Sequence, residues 1–366
     1  MTKIAEVCYK YLPERGGIIT HVKQISERLV ARGHEVEVLT TDPSGKLKKN
    51  DFLNGVVVKR YSSLAPFHLY HFSLPLIKGV MKSHCDIIHC HGYQDFPLIA
   101  SILAKGNRKL LVTTHSGWPL TAITRVLNFP YRLLVGRVLQ TADMVIFVSQ
   151  SEYRFLARRW RFPSSKIAIL PNGASFIASE DHNEWPSTIP FRTRYILSVS
   201  GLRKYKGHDF LIKAFAKADF DGEEVKLVIA GSGDYESSLV RLVDILKLKD
   251  KVSIVYNPTD EELALLYRNC TLFVLLSQFE SQSICLADAI AARVPVITTL
   301  VPGCEDSVLN GYARGIPFPP DIRRLSLMLE ETLKEPRKYV PQESFDLLSW
   351  DEITRRLEVM YEEQSV

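Results

Sequence analysis

Residues 271–298 read TLFVLLSQFESQSICLADAIAARVPVIT. The apolar run TLFVLL is strand-like, SQFESQS is a polar turn, Ser283 to Arg293 is helix-compatible, and PVIT is a second strand. That order makes a β-turn-α-β unit. Open α/β sheets bind ligands outside the carboxyl ends of their strands, so the SQFESQS turn lies where a small molecule is expected. Two acidic residues frame it. Glu280 is in the turn, and Asp288 lies inside the helix, about one and a half turns from its start. The first helical turn, near Gln282, Ser283 and Ile284, offers unpaired backbone N–H groups at the positive end of the helix dipole, which suits a phosphate. Carboxylates nearby suit sugar hydroxyls. The plainer reading is that Glu280 only favours the helix start and Asp288 is a solvated helix residue.

Working outward, the second half repeats the alternation. YILSVS, KLVIAG and KVSIVY are strands, FLIKAFAKA and DEELALLYRNC are helices, and GLRKYKGHD and GSGDYE are loops. The first half has the same rhythm. KIAEVCYKYL is a strand, Gly16-Gly17 a turn whose backbone can approach a ligand closely, and the following helix carries Val22, Ile25 and Leu29 on one face before Gly33 ends it. DFLNGVVVKRY reads as a strand pair. DIIHCHG and LLVTTHSG are buried strands ending at His91-Gly92 and His115-Ser116-Gly117. His89, Cys90 and His91 have the look of metal ligands, but on a strand Cys90 points away from the two imidazoles and no third ligand follows at a suitable spacing. No metal site is expected. The segment from Ser62 to His84 is rich in aromatics and histidine and is broken at Pro66 and Pro75. Pro119 to Asp143 mixes apolar residues with Arg125, Arg132 and Arg137, and reads either as an amphipathic helix against a membrane or lipid-bearing acceptor, or as packed helices with snorkelling arginines. Ser179 to Arg194 is polar and proline-punctuated, the mark of a linker. Two alternating halves joined by one linker imply two doubly wound domains facing each other across a cleft.

The chain has 366 residues and is 46% hydrophobic, enough for two cores. No apolar run approaches the roughly 20 residues of a membrane helix and the start has no signal-peptide pattern, so a cytoplasmic protein is expected. Six cysteines without a CxxC pair read as reduced and mostly buried. Charge is divided unevenly. Residues 1–180 hold 24 Lys and Arg against 12 Asp and Glu, whereas residues 181–366 hold 22 against 29. Either the basic half faces an anionic partner, such as phospholipid, lipid-linked phosphate or an anionic glycan, or the halves neutralise each other.

Taken together, the motifs resemble those of the GT-B fold glycosyltransferases of the retaining family GT4. They are GG followed by HV, RGHEVEVLT, DIIHCHG, TTHSG, ADMVIFVS, ILPNG, the KG of KYKGHDFLIKAF, VIAGSGD, ESQSICLAD, ARVPVITT, PGCEDSV and SWDEI, in order over nearly the whole chain. The resemblance implies an α/β GT-B architecture of two Rossmann-like domains, with acceptor side at 1–180, nucleotide-sugar side at 190–349, and a last helix at about 350–366 packing back on the first. It implies that Gly16 and Gly17 approach the donor phosphate, that His115 contacts the transferred sugar, and that Lys206 neutralises the diphosphate leaving group. Glu280 would bind sugar hydroxyls, backbone at Ser283 and Ile284 the distal phosphate, and Asp288 the ribose.

Three positions depart from the family pattern. Ser200-Gly201-Leu202 stands where Gly-Arg-Leu is usual, so Arg203 or Lys204 is expected to replace the phosphate-binding arginine; E-x7-E has become E-x7-D; and Gln282-Ser283 replaces Phe-Gly. DFD at 219–221 has the form of the DxD metal motif of other sugar transferases, but between helix and strand and beside Gly222 it reads as a solvated turn. The implied reaction moves a sugar from a UDP-, GDP- or ADP-sugar to a glycan or lipid-linked acceptor, without metal, cofactor or nucleic acid. Retaining glycosidases set a carboxylate nucleophile opposite a carboxylic acid. No second carboxylate is evident beside His115, which favours a front-face route. A sugar-nucleotide 2-epimerase and a non-catalytic sugar-nucleotide-binding scaffold are the alternatives on this fold.

Overall fold

The computed structural model describes residues 1–65, 70–116, 129–175, 185–341 and 347–362, with the backbone alone for 129–134. Pro66, Gly117, Pro119, Arg125, the side chain of Arg132 and the linker up to residue 184 lie outside the described residues. The chain divides into two compact units, Met1–Gly173 with Leu348–Val366, and Ala174–Leu347.

The first unit is built on strands β1 (Lys3–Val7), β2 (Glu35–Asp42), β3 (Asn50–Leu53), β4 (Val56–Ser62), β5 (Ile87–His91), β6 (Lys109–Thr113), β7 (Met144–Phe147) and β8 (Ile167–Ile169). They form one sheet in the order β3-β4-β2-β1-β5-β6-β7-β8. Only β3 and β4 run antiparallel, turning at Asn54-Gly55, where both residues adopt positive φ. The helix Gly17–Ala31 follows β1 and buries Val22, Ile25 and Leu29, the face its spacing predicts. Ser62 to His84 is not wholly irregular: Leu74–Lys82 is helical, capped by Ser73, with Pro75 in the first turn where a missing N–H costs nothing. Chain order reverses across the sheet between β1 and β5, so the loop after β1, with Gly16-Gly17, and the end of β5, with His91, share the crevice of a doubly wound sheet.

The second unit has β9 (Tyr195–Val199), β10 (Lys226–Gly231), β11 (Val252–Tyr256), β12 (Leu272–Leu275), β13 (Val296–Thr299) and β14 (Arg314–Ile316), all parallel, in the order β11-β10-β9-β12-β13-β14. Its reversal lies between β9 and β12. The loops leaving those two strands carry Lys206 and Glu280. Apolar clusters cover both faces of this sheet, one around Leu211, Leu227 and Leu329, the other around Tyr195, Phe273 and Ile290. Continuous apolar strands such as LFVL and YILSV are the signature of a parallel sheet covered on both sides.

All six cysteines are free and five are buried. Among the described residues, no helix is long and apolar enough to cross a membrane. Asp219 and Asp221 form an exposed turn, in which the Asp221 N–H donates to Asp219 Oδ1, as expected for a solvated DFD.

Candidate active site

In the second unit, the 3-10 turn Lys204–Lys206 ends at Gly207, whose φ is 70°. A Cβ there would stand 2.2 Å from the Leu276 carbonyl oxygen, so only glycine lets this turn lie against the end of β12. The contact is locked from the other side, where the Gln278 N–H donates to the Tyr205 carbonyl at 2.7 Å. This close approach brings Lys206 Nζ to 2.5 Å from Glu280 Oε1. Ser277 Oγ donates to the same oxygen at 2.7 Å, and among the described residues no donor reaches Oε2. Burial by itself would lower the Lys206 pKa, but the Glu280 charge outweighs it and holds the ammonium above its ordinary range. A cation and a carboxylate assigned separate tasks from the sequence therefore form one pair.

Ser283 caps the helix Ile284–Ala291 by accepting from the Leu286 N–H at 3.3 Å. Asp288 is not solvated. It is 4% exposed, and its Oδ1 accepts from the Ser175 N–H at 2.6 Å, so this carboxylate holds backbone within its own unit. Arg203 is half-exposed and paired at 2.7 Å with Asp234 of the GSGDYE loop. Gly231 and Gly233 permit that loop to press against residues 200–202, since a Cβ on either would fall 2.0 Å from the Ser200 carbonyl oxygen or 2.2 Å from that of Leu202.

In the first unit, strand alternation creates a polar layer. Ala5, Val7, Ile88, Cys90, Leu110 and Val112 face one apolar cluster. Glu6, His89, His91 and Thr113 face the other way, and the parallel register sets Glu6 beside His89 and His91 beside Thr113. The Gly17–Ala31 helix adds His21, and the helix Trp350–Glu362, which packs on it, adds Trp350 and Tyr361. His91 Nε2 lies 2.6 Å from Glu6 Oε2, and His91 Nδ1 lies 3.4 Å from His115 Nε2. Tyr361 donates to Glu6 Oε1 at 3.3 Å, while His89 contacts Tyr361 Oη and Thr113 Oγ1 at 2.8 Å each. Burial would raise the Glu6 pKa, but His89 and His91 outweigh that and hold the carboxyl well below its usual range. Burial lowers His21 to about 3 and His91 to about 4. It also drives His115 well below the ordinary histidine value. At neutral pH the Glu6 carboxyl is charged and His21, His91 and His115 are neutral.

His115 adopts φ 43°, a left-handed conformation unusual for a side-chain-bearing residue. The next residue is tied down by Glu152, which is buried and accepts from the Ser116 N–H at 2.6 Å, the Ser116 hydroxyl at 2.5 Å and the Val148 N–H at 2.8 Å. Burial raises the Glu152 pKa despite these donors. Gly16 precedes the first turn of its helix without a side-chain cap, and nothing lies within 4 Å of a Cβ built on Gly17. Packing among the described residues does not require Gly17 to be glycine.

Two sequence expectations need correction. Carboxylates do flank His115: Glu6 through His91, and Glu152 through Ser116. And the histidine pair of β5 does have further ligand-type neighbours, since His21, His91 and His115 form one group of converging ligand atoms and Glu6, His89 and His91 another. Neither was found because the partners come from other strands and helices, beyond any motif spacing.

Residues 15–175 match the model of Glycosyltransferase Family 4, and residues 179–343 match that of Glycosyl transferases group 1. The chain is 26% identical to an uncharacterized glycosyltransferase of Methanocaldococcus jannaschii over 98% of its length and 97% of the relative's. It is 26% identical to the N-acetyl-alpha-D-glucosaminyl L-malate synthase of Bacillus anthracis, over 84% of this chain and 81% of that one. In fold it is similar to sucrose-phosphate synthase from Thermosynechococcus elongatus, with a TM-score of 0.78, 21% identity and coverage of 99% and 98%.

Proposed function

From the premise that this chain belongs to the GT4 glycosyltransferases, retaining enzymes of GT-B fold that take a sugar from a nucleotide sugar, we propose how its residues divide the work. The observation that carries the reading is the Lys206–Glu280 pair at the reversal of the second sheet. An incoming diphosphate competes for the Lys206 ammonium and so releases Glu280 to accept from hydroxyls of the donor sugar. Before substrate arrives the two charges neutralise each other, already held in place by Ser277 and Gly207. Backbone at Ser283 and Ile284 holds the distal phosphate, and Asp288 takes the ribose. Arg203 exchanges Asp234 for phosphate, standing in for the arginine that Gly201 replaces.

On the first unit, Gly16 and Gly17 leave open space that a phosphate can approach, and His115 meets the transferred sugar. Glu6 is fully buried behind His91, which makes it a positioning group rather than a nucleophile. This supports a front-face route, in which the C–O bond to the diphosphate breaks, the departing phosphate oxygen takes the acceptor's proton, and the acceptor oxygen bonds to the same face of the sugar. The basic first half favours an anionic acceptor, a lipid-linked phosphate or an anionic glycan, met at the inner face of a membrane from the cytoplasm. The Bacillus anthracis relative is named for making N-acetyl-alpha-D-glucosaminyl L-malate.

A thermal-shift panel of UDP, GDP, ADP and their sugars, run on wild type and Glu280→Ala, tests the division. One nucleotide series should stabilise the wild type, and the variant should lose the sugar's added contribution while keeping or strengthening the response to the bare diphosphate, since Lys206 is then unpaired. No stabilisation by any nucleotide at millimolar concentration would instead favour the scaffold reading.

A further inference from the structure

The polar layer of the first unit holds more than a positioned histidine. His21, His91 and His115 come from three separate segments, all three are buried, and their ligand atoms lie within 4.8 Å of one another. We propose that these imidazoles form a binding site for a borderline-soft divalent transition ion of the Zn2+ class, and that filling it switches transfer off by capturing His115. The inhibitory part rests on the reading of His115 as a sugar contact; the site itself does not.

The geometry is that of a ligand set. Two imidazole nitrogens on a tetrahedral zinc ion, each 2.0–2.1 Å from it, stand about 3.4 Å apart. His91 Nδ1 and His115 Nε2 are 3.4 Å apart. The ring centroids are separated by 4.6 Å for His21 and His115, 5.3 Å for His21 and His91, and 5.6 Å for His91 and His115. Hydrogen bonds behind the rings aim their lone pairs. Glu6 accepts from His91 Nε2–H, which leaves Nδ1 unprotonated. Asn172 Oδ1 lies 2.7 Å from His21 Nδ1 and accepts its proton, which leaves Nε2 unprotonated. That His21 Nε2 is buried and has no hydrogen-bond partner among the described residues. An unpaired buried acceptor is costly within a folded core, and a cation would satisfy it. The carboxylate behind His91 and the amide oxygen behind His21 are the arrangement that fixes ring orientation and raises ligand basicity at metal sites.

The neighbouring group of Glu6, His89 and His91 is a poorer candidate. Both His89 nitrogens are occupied, by Tyr361 and Thr113, and Glu6 is engaged by His91 and Tyr361. It serves as the orienting shell. Three imidazoles with one open coordination position suit zinc, cobalt, nickel or copper, whereas magnesium, calcium and manganese prefer oxygen ligands. Without an ion, His115 Nε2–H donates to His91 Nδ1. An ion takes both lone pairs, and the His115 proton passes through solvent from Nε2 to Nδ1, so the ring stays neutral and its other nitrogen changes from acceptor to donor. Transfer itself needs no metal, so the ion acts only as a brake.

Equilibrium dialysis of the full chain against micromolar Zn2+ in excess Mg2+ should give one bound zinc per chain, and Co2+ should give the intense visible absorption of a four-coordinate site. His21→Ala and, more conservatively, His21→Gln should lose both signals with circular dichroism unchanged. Cys285→Ser, which removes the half-exposed thiol, should keep them. No bound zinc, or zinc that survives both His21 variants and disappears with Cys285→Ser, overturns the site. Transfer should be lost in step with occupancy and return on adding EDTA. Full occupancy with undiminished transfer would overturn the inhibitory part and the placing of His115 at the sugar, which the dialysis result does not depend on.

Discussion

Lys206 and Glu280 show how a single contact refines a role. Read separately, one is a phosphate cation and the other a hydroxyl acceptor; joined at 2.5 Å, Glu280 holds the Lys206 ammonium charged and each fixes the other's place. Glu280→Gln preserves shape but removes the charge, so kcat/KM should fall about 100-fold, on the order of losing one charged transition-state contact, while affinity for nucleoside diphosphate does not fall. Steady-state kinetics with product inhibition separates the two effects. Gly207→Ala tests the close approach: with φ at 70° and the Leu276 oxygen 2.2 Å from a new Cβ, the chain should lose about 2 kcal/mol, read as a lower denaturant midpoint. The KG pair was legible only through the family motif it resembles, and the tight turn it makes was not read. Glu6 was not legible. In KIAEV it looks like the solvent-facing residue of an alternating strand, and only the covering helices show that this face is buried.

Elements carry the next level of the argument. The helix Gly17–Ala31 was readable from its apolar spacing, but His21 on its buried face was met only as part of the HV motif and given no role, since a lone histidine among Ile and Val more often fills space than serves a site. The polar layer makes stability depend on pH in a definite direction. His21 has a folded pKa of about 3 against an ordinary 6.5, so the unfolded chain binds more protons between those values. Its contribution is fully present above 6.5 and is lost as pH falls toward 3. Asp95, raised by burial to about 6, and Glu152 act in the opposite sense, while His91, His115, His208 and Glu6 act in the same one, so the wild-type curve alone mixes several groups. The difference between wild type and His21→Gln isolates one group: the variant's unfolding temperature should fall less steeply than the wild type's as pH is lowered from 6.5. Equal slopes would mean that His21 is not buried in its neutral form.

For the whole molecule, most strands were legible in order, because parallel strands covered on both faces read as short apolar runs followed by turn chemistry; β14 (Arg314–Ile316), too short for such a run, and the helix Leu74–Lys82 were not. What stayed hidden were contacts between distant segments: Asp288 with Ser175, Glu152 with Ser116, and Tyr361 with Glu6, 355 residues apart. The uneven charge remains a whole-molecule property that no single contact explains. If the basic half meets an anionic surface, cosedimentation with phosphatidylserine vesicles should weaken steeply as salt is raised from low ionic strength to physiological, and neutral phosphatidylcholine vesicles should not bind. Binding to neither vesicle at any salt would remove the membrane reading and leave a soluble anionic glycan as the acceptor to test.

The return of the Trp350–Glu362 helix to the first unit also governs the order in which the protein can be made. Domains emerging from a ribosome usually fold from the amino end onward, each before the next is complete. Here Glu6 and His89 wait for Tyr361, and His21 waits for Trp350, so the unit translated first is the one finished last. Through most of synthesis its nascent sheet carries a buried-type carboxylate and three imidazoles without their cover, while the second unit, uninterrupted from Ala174 to Leu347, already has every residue it needs. A chain stopped just short of residue 350 should therefore be cleared by proteolysis from its beginning rather than from its end.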